Sequence, residues 1–129
     1  MFVGFNHVGI AVENVDSMVA ILSAAFGAKE YDRREIPEAG QISSLVMIGK
    51  GEVEIMAPFG DKAGTVGKFL ETHGPGLHHI SLKTDDFDND CASLEAQGIK
   101  VFGKTVMDGR KIAFAHPKST GGILYEILE

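Results

Sequence analysis

The chain contains no tryptophan and a single cysteine, Cys91. A lone thiol excludes an intramolecular disulfide, suits a reducing cytoplasm, and leaves Cys91 as a packing residue. Basic charge is scarce too: twelve Lys and Arg stand against eighteen Asp and Glu, for a net charge of −6. With no run of Lys or Arg, the sequence offers no phosphate-tracking surface, which argues against a nucleic-acid binder. Long apolar stretches are missing as well. No window reaches the length of a bilayer-spanning helix, and Met1 to Val12 lacks a basic region followed by an apolar core. Neither a membrane span nor a leader is predicted, and the expected location is cytoplasmic. What remains is a chain of 129 residues, 44% hydrophobic and 23% charged, with 16 glycines. That is the size and composition of one compact domain with its own core and many tight turns.

Phe5 to Val12 alternates and is rich in Val and Ile, the pattern of a short strand that puts His7, Gly9 and Ala11 on one face. Asn14 or Asp16 can cap a helix whose apolar positions Val15, Met18, Val19, Leu22 and Phe26 recur at three and four, with Gly27 as its stop. Lys29 to Ile36, Ile42 to Ile48 and Glu52 to Ala57 then read as strands separated by Pro and Gly turns. The segment 59–76 links to the second half and holds a short helix from Thr65 to Glu71. From His79 the order restarts: a strand to Thr84, a helix from Phe87 to Gln97, and strands at Lys100 to Phe102, Arg110 to Ala115 and Ile123 to Leu128. The prediction is α+β: two βαβββ modules, 1–58 and 77–129, in a single domain. Each module buries a face that the other completes, so neither half is expected to be stable alone.

The repeat extends to chemistry. His7 precedes Glu54 by the same interval that separates His79 from Glu126. Each glutamate lies in an otherwise apolar strand, where a carboxylate without a partner would be costly. Taken singly, a strand histidine is more often a hydrogen-bonded core or rim residue, and a glutamate more often faces solvent. Four such residues obeying one repeat point instead to a shared site: two imidazoles and two carboxylates converging between the halves suit a borderline divalent cation such as Co, Mn, Ni or Zn. An ion that prefers six ligands keeps two positions for substrate or water, which favours catalysis over a structural role. Only His79 matches His7 in register, so His78 reads as a neighbour. His73 and His116 have no repeat counterpart and read as solvated loop histidines.

The segments Asn6-His7-Val8-Gly9-Ile10-Ala11-Val12, Glu52-Val53-Glu54-Ile55-Met56-Ala57-Pro58, Gly76-Leu77-His78-His79-Ile80 and His116-Pro117-Lys118-Ser119-Thr120-Gly121-Gly122 resemble the vicinal oxygen chelate superfamily. Within it, the likeness is greatest to its methylmalonyl-CoA epimerase branch, and it runs nearly end to end. The resemblance implies an eight-stranded, half-open curved barrel around a metal held by His7, Glu54, His79 and Glu126. It further implies α-proton exchange on an acyl-CoA thioester through an enolate, Glu126 as one acid/base group, substrate contacts from Lys118 and Ser119, and a homodimer. Ser43 occupies the place where some epimerases carry a second glutamate, so here water or another group would serve as the second acid/base. A glyoxalase I-like lyase acting on a thiol adduct would use the same quartet, and a metal-free small-molecule binding protein of the superfamily would not need it.

Overall fold

The computed structural model describes residues 1–62 and 64–129. Contacts divide the chain into two compact units, Val8–His78 and Met1–His7 with His79–Glu129. Strand β1 (Phe2–Ala11) contributes its second half to the former and its first half to the latter.

The unit Val8–His78 continues with α1 (Val15–Phe26), β2 (Lys29–Ile36), β3 (Gln41–Ile48), β4 (Gly51–Pro58) and α2 (Thr65–His73). Its sheet runs β2-β3-β4-β1. The intervening helix and hairpin let β4 return parallel to β1, with Gly9 opposite Glu54 and Ala11 opposite Met56. Helix α1 starts at Asn14, whose side chain accepts from the Ser17 backbone N–H at 2.8 Å, and stops at Gly27 in the left-handed region at φ 67°. Its inner face packs Val15, Met18, Val19 and Leu22 on Val12, Val46, Ile55 and Ala57. Phe26, expected on that face, is 64% exposed. The chain turns back at once through the Ala28 N–H bond to the Leu22 carbonyl, so Ala28 fills the space under the helix end.

The other sheet face carries α2, whose Val66 and Leu70 bury against Ala11 and Met56. Alternation in β4 thus sends Ile55 to α1 and Met56 to α2, and both are core. Before α2 the chain passes so close to the β2–β3 turn that a Cβ on Gly64 would stand 2.1 Å from the Ala39 carbonyl oxygen.

The second unit adds β5 (Gly76–Thr84, from His79 onward), α3 (Phe87–Ala96), β6 (Val101–Met107), β7 (Arg110–Ala115) and β8 (Tyr125–Leu128) to the start of β1. Its strands follow the order β6-β7-β8-β5, with β1 beside β5, and β8 parallel to β5 with Glu126 opposite Ser81. The order matches β2-β3-β4-β1 of the first unit strand for strand, as the repeat requires. Helix α3 buries Phe87 and Cys91 against Ala113 and Ile127, and Phe2 of β1 joins this cluster.

One strand is longer than its sequence suggests. β6 reaches Met107 and turns at Asp108 and Gly109, both at positive φ (52° and 75°), a two-residue hairpin of the Asp-Gly kind. The register slips between Phe102 and Thr105, with Gly103 at φ 64° lying against the Phe114 ring. That bulge breaks the alternation by which a strand is recognised. Strand β8 is shorter, because the Thr120 hydroxyl donates to the Ile123 carbonyl at 2.6 Å and holds that residue in the preceding turn.

Candidate metal centre

Three of the four expected ligands come together within the unit Met1–His7 with His79–Glu129. His7 sits where β1 passes out of this unit, His79 in β5, and Glu126 in β8. The Nε2 atoms of His7 and His79 are 3.1 Å apart, their rings nearly perpendicular at 81°. The Glu126 Oε1 is 3.7 Å from His7 Nε2. All three are well covered: His79 is 5% exposed, and the side chains of His7 and Glu126 are 9% and 12% exposed.

His7 Nδ1 lies 2.8 Å from the Asn6 amide oxygen, an acceptor. The proton of a neutral His7 therefore belongs on Nδ1, and the Nε2 lone pair faces His79. Two nitrogens bound at right angles to one cation at about 2.1 Å are about 3 Å apart, close to the Nε2 separation here. Two nitrogen donors beside a carboxylate oxygen are a donor set that a borderline divalent cation accepts. The residues fit the expected ion.

Glu126 is positioned by its neighbours. Across the sheet, Phe114 of β7 lies opposite it on one side and Ser81 of β5 on the other. The Ser81 hydroxyl, fully buried, donates to Glu126 Oε1 at 2.7 Å. Phe114 in turn meets Phe102 with ring centroids 5.7 Å apart. Glu126 thus lies between a serine whose hydroxyl bonds its carboxylate and a phenylalanine on the next strand. Neither Ser81 nor Phe114 was among the sequence candidates, although Ser81 shares His79's face of β5 by period two.

Glu54, the fourth expected ligand, belongs to the unit Val8–His78, in β4 between Gly9 of β1 and Leu45 of β3. In that unit His78 is half-buried, and burial pushes its pKa down, against the pull of Glu54 and with a smaller push from His73. Phe69 stacks on His73 at 4.5 Å and meets His78 at 4.9 Å. His73 is exposed, yet this stack makes it more than a solvated loop residue.

His116, expected in solvent, is half-buried and caps the short turn Pro117–Ser119 through Nδ1, which accepts from the Lys118 backbone N–H at 3.1 Å. Ser119 braces the same turn, accepting from the Lys100 N–H at 3.1 Å and donating to the His116 carbonyl at 2.8 Å. Lys118 is exposed. Ser43 is buried in β3, where its hydroxyl accepts from the Gln41 side chain at 2.7 Å.

Residues 6–114 match the model of the glyoxalase/bleomycin resistance protein/dioxygenase superfamily. The chain belongs to this superfamily. A relative from Dictyostelium discoideum, named as a mitochondrial methylmalonyl-CoA epimerase, is 30% identical over 96% of this chain and 76% of its own length. Among superfamily structures, the methylmalonyl-CoA epimerase of Mycobacterium tuberculosis aligns with a TM-score of 0.89 and 28% identity, covering 99% of this chain and 88% of the other. A variant of the Streptomyces coelicolor epimerase in complex with 2-nitronate-propionyl-CoA aligns with a TM-score of 0.89 and 27% identity, covering 99% and 97%. The α+β fold expected from the sequence is the superfamily's fold.

Proposed function

We propose that this chain is a metal-dependent epimerase that interconverts (2R)- and (2S)-methylmalonyl-CoA by proton exchange at the α-carbon. The convergence of His7, His79 and Glu126 carries the reading: two imidazole nitrogens 3.1 Å apart beside a sheltered carboxylate. The names of the relatives supply the substrate class, an acyl-CoA thioester. Glu54 is the fourth ligand in this proposal, supported by the repeat that pairs it with Glu126. Co, Mn, Ni and Zn all suit such a set.

A divalent ion held here supplies Lewis-acid stabilisation of the negative charge that develops on the substrate when its α-proton leaves. The protein does the rest. His7 and His79 present ring nitrogens held by their strands, with His7 oriented through Asn6. Glu126 takes or returns the α-proton on one side of the α-carbon, and water or another group does so on the other, as inversion requires. Ser43 replaces the second glutamate of some epimerases, so a two-glutamate mechanism is not part of this proposal. The hydroxyl of Ser119 is engaged in its turn, which leaves exposed Lys118 as the better candidate for contact with the CoA portion. We also place the protein in the cytoplasm, consistent with an unpaired, buried Cys91, and as a homodimer, the commonest assembly. Light scattering tests the dimer.

The deciding experiment incubates the Co(II)- or Mn(II)-loaded protein with methylmalonyl-CoA in deuterated water. Deuterium appears at the α-carbon, and Glu126→Gln slows its incorporation by roughly 100-fold or more, the scale of a lost acid/base group. Metal content measured in parallel separates a lost base from a lost ligand. Turnover of a glutathione hemithioacetal with no exchange into methylmalonyl-CoA would transfer the site to glyoxalase chemistry.

A further inference from the structure

The duplication is unequal at one position beside the metal centre. In the unit Val8–His78, the residue opposite Glu54 on the neighbouring strand is Gly9. In the other unit, the residue opposite Glu126 at the same place in the repeat is Ser81. Both copies keep a histidine two residues earlier and a glutamate across the strand pair; only one keeps a hydroxyl between them. The βαβββ module therefore forms without a hydroxyl there. Ser81 must be accounted for by something other than the fold.

Its geometry says what that is. Ser81 is 0% exposed, and its hydroxyl meets Glu126 Oε1 at 2.7 Å. The same oxygen is the one 3.7 Å from His7 Nε2. A hydroxyl donating to a carboxylate oxygen makes a charge-assisted bond, among the stronger and more directional of side-chain contacts. It removes one rotational freedom from the glutamate and holds a chosen oxygen toward the ring nitrogens.

We infer that Ser81 is a positioning residue that aims Glu126 at the metal, and that the Gly9/Ser81 difference makes the two glutamates of the repeat unequal partners. Glu126 is held by a neighbouring hydroxyl; Glu54 receives no such bond from the corresponding residue, which has no side chain. The inference rests on the metal-site reading above, and its test separates the two.

Co(II) binding to the full chain is measured by titration calorimetry and by the visible absorption spectrum of the bound ion, for wild type, Ser81→Ala and Ser81→Thr. Thermal melts of the metal-free proteins establish that each variant is folded; the glycine in the other unit indicates that a missing hydroxyl is tolerated. Loss of an outer-shell partner weakens metal binding by roughly 10- to 100-fold, and that loss is expected in Ser81→Ala, with a changed Co(II) spectrum. Ser81→Thr, which keeps the donor, restores both. With saturating metal, Ser81→Ala lowers kcat while KM for the thioester stays within about threefold, as for an interaction spent on the reacting centre and not on substrate binding. Wild-type affinity and spectrum in a folded Ser81→Ala would overturn the role of Ser81 and leave the metal site standing. Equal losses in the Ala and Thr variants would also overturn it, since the hydroxyl would not be the cause. A wild-type chain that binds no Co(II) would overturn the metal reading itself, and this inference with it.

Discussion

At the scale of single residues, the sequence points to the candidate ligands more clearly than to the groups around them. His7, His79 and Glu126 stand out because a duplication repeats their spacing, and the structure holds the His79 ring nitrogen 3.1 Å and a Glu126 oxygen 3.7 Å from His7 Nε2. Asn6, Ser81 and Phe114 were silent. The places of Ser81 and Phe114 depend on cross-strand register, which a single strand's letters do not specify, and that of Asn6 on its side chain turning to its neighbour His7. The capping role of His116 is equally hidden from the sequence: a ring nitrogen capping a three-residue turn leaves no periodic trace. Cys91 was legible, because an isolated thiol on the apolar side of a helix packs. It is 1% exposed, and burial pushes its pKa up, so the reactive thiolate is disfavoured. The native protein is accordingly expected to resist a thiol reagent such as dithionitrobenzoate for hours at neutral pH. Addition of denaturant should release one equivalent at once. Rapid labelling of the native state would contradict this packing.

At the scale of elements, caps and breakers were the reliable signals. The bounds of α1 follow from Asn14 and Gly27, and those of β2 from the flanking glycine and proline. β6 runs past the end its sequence pattern predicts because Gly103 interrupts the alternation and the turn lies later, at Asp108–Gly109. Two substitutions test how far these local devices matter. Asn14→Ala removes the acceptor for the Ser17 N–H and should cost about 1 kcal/mol, read from the urea midpoint at unchanged m-value. Gly64→Ala should be worse, in the range of roughly 1–3 kcal/mol for a forced fit. Its Cβ would collide with the Ala39 backbone, which cannot swing aside as a side chain can. If both variants melt with the wild type, neither the cap nor the close approach contributes as described.

At the scale of the whole chain, the repeat in sequence does not coincide with the compact units in space. The sequence divides most naturally into modules 1–58 and 77–129. The contacts instead join Met1–His7 to His79–Glu129. Phe2 shows the cause, since it packs with Phe87, Cys91, Ala113 and Ile127 although it begins the other module. A fragment covering 77–129 lacks that residue and the strand beside β5. It is expected to show little ordered near-ultraviolet signal and a non-cooperative melt. A cooperative transition from the isolated fragment would mean that β1 is dispensable to the unit.

The split course of β1 suggests a rearrangement of the gene. In a circular permutant opened at Pro75, with a flexible linker joining Glu129 to Met1, residues 79–129 and 1–7 become neighbours along the backbone. The body made of residues 79–129 and 1–7 is then encoded without interruption. Such a polypeptide lowers the mean sequence separation of native contacts in one body, and it should refold faster than the natural arrangement to the same end state.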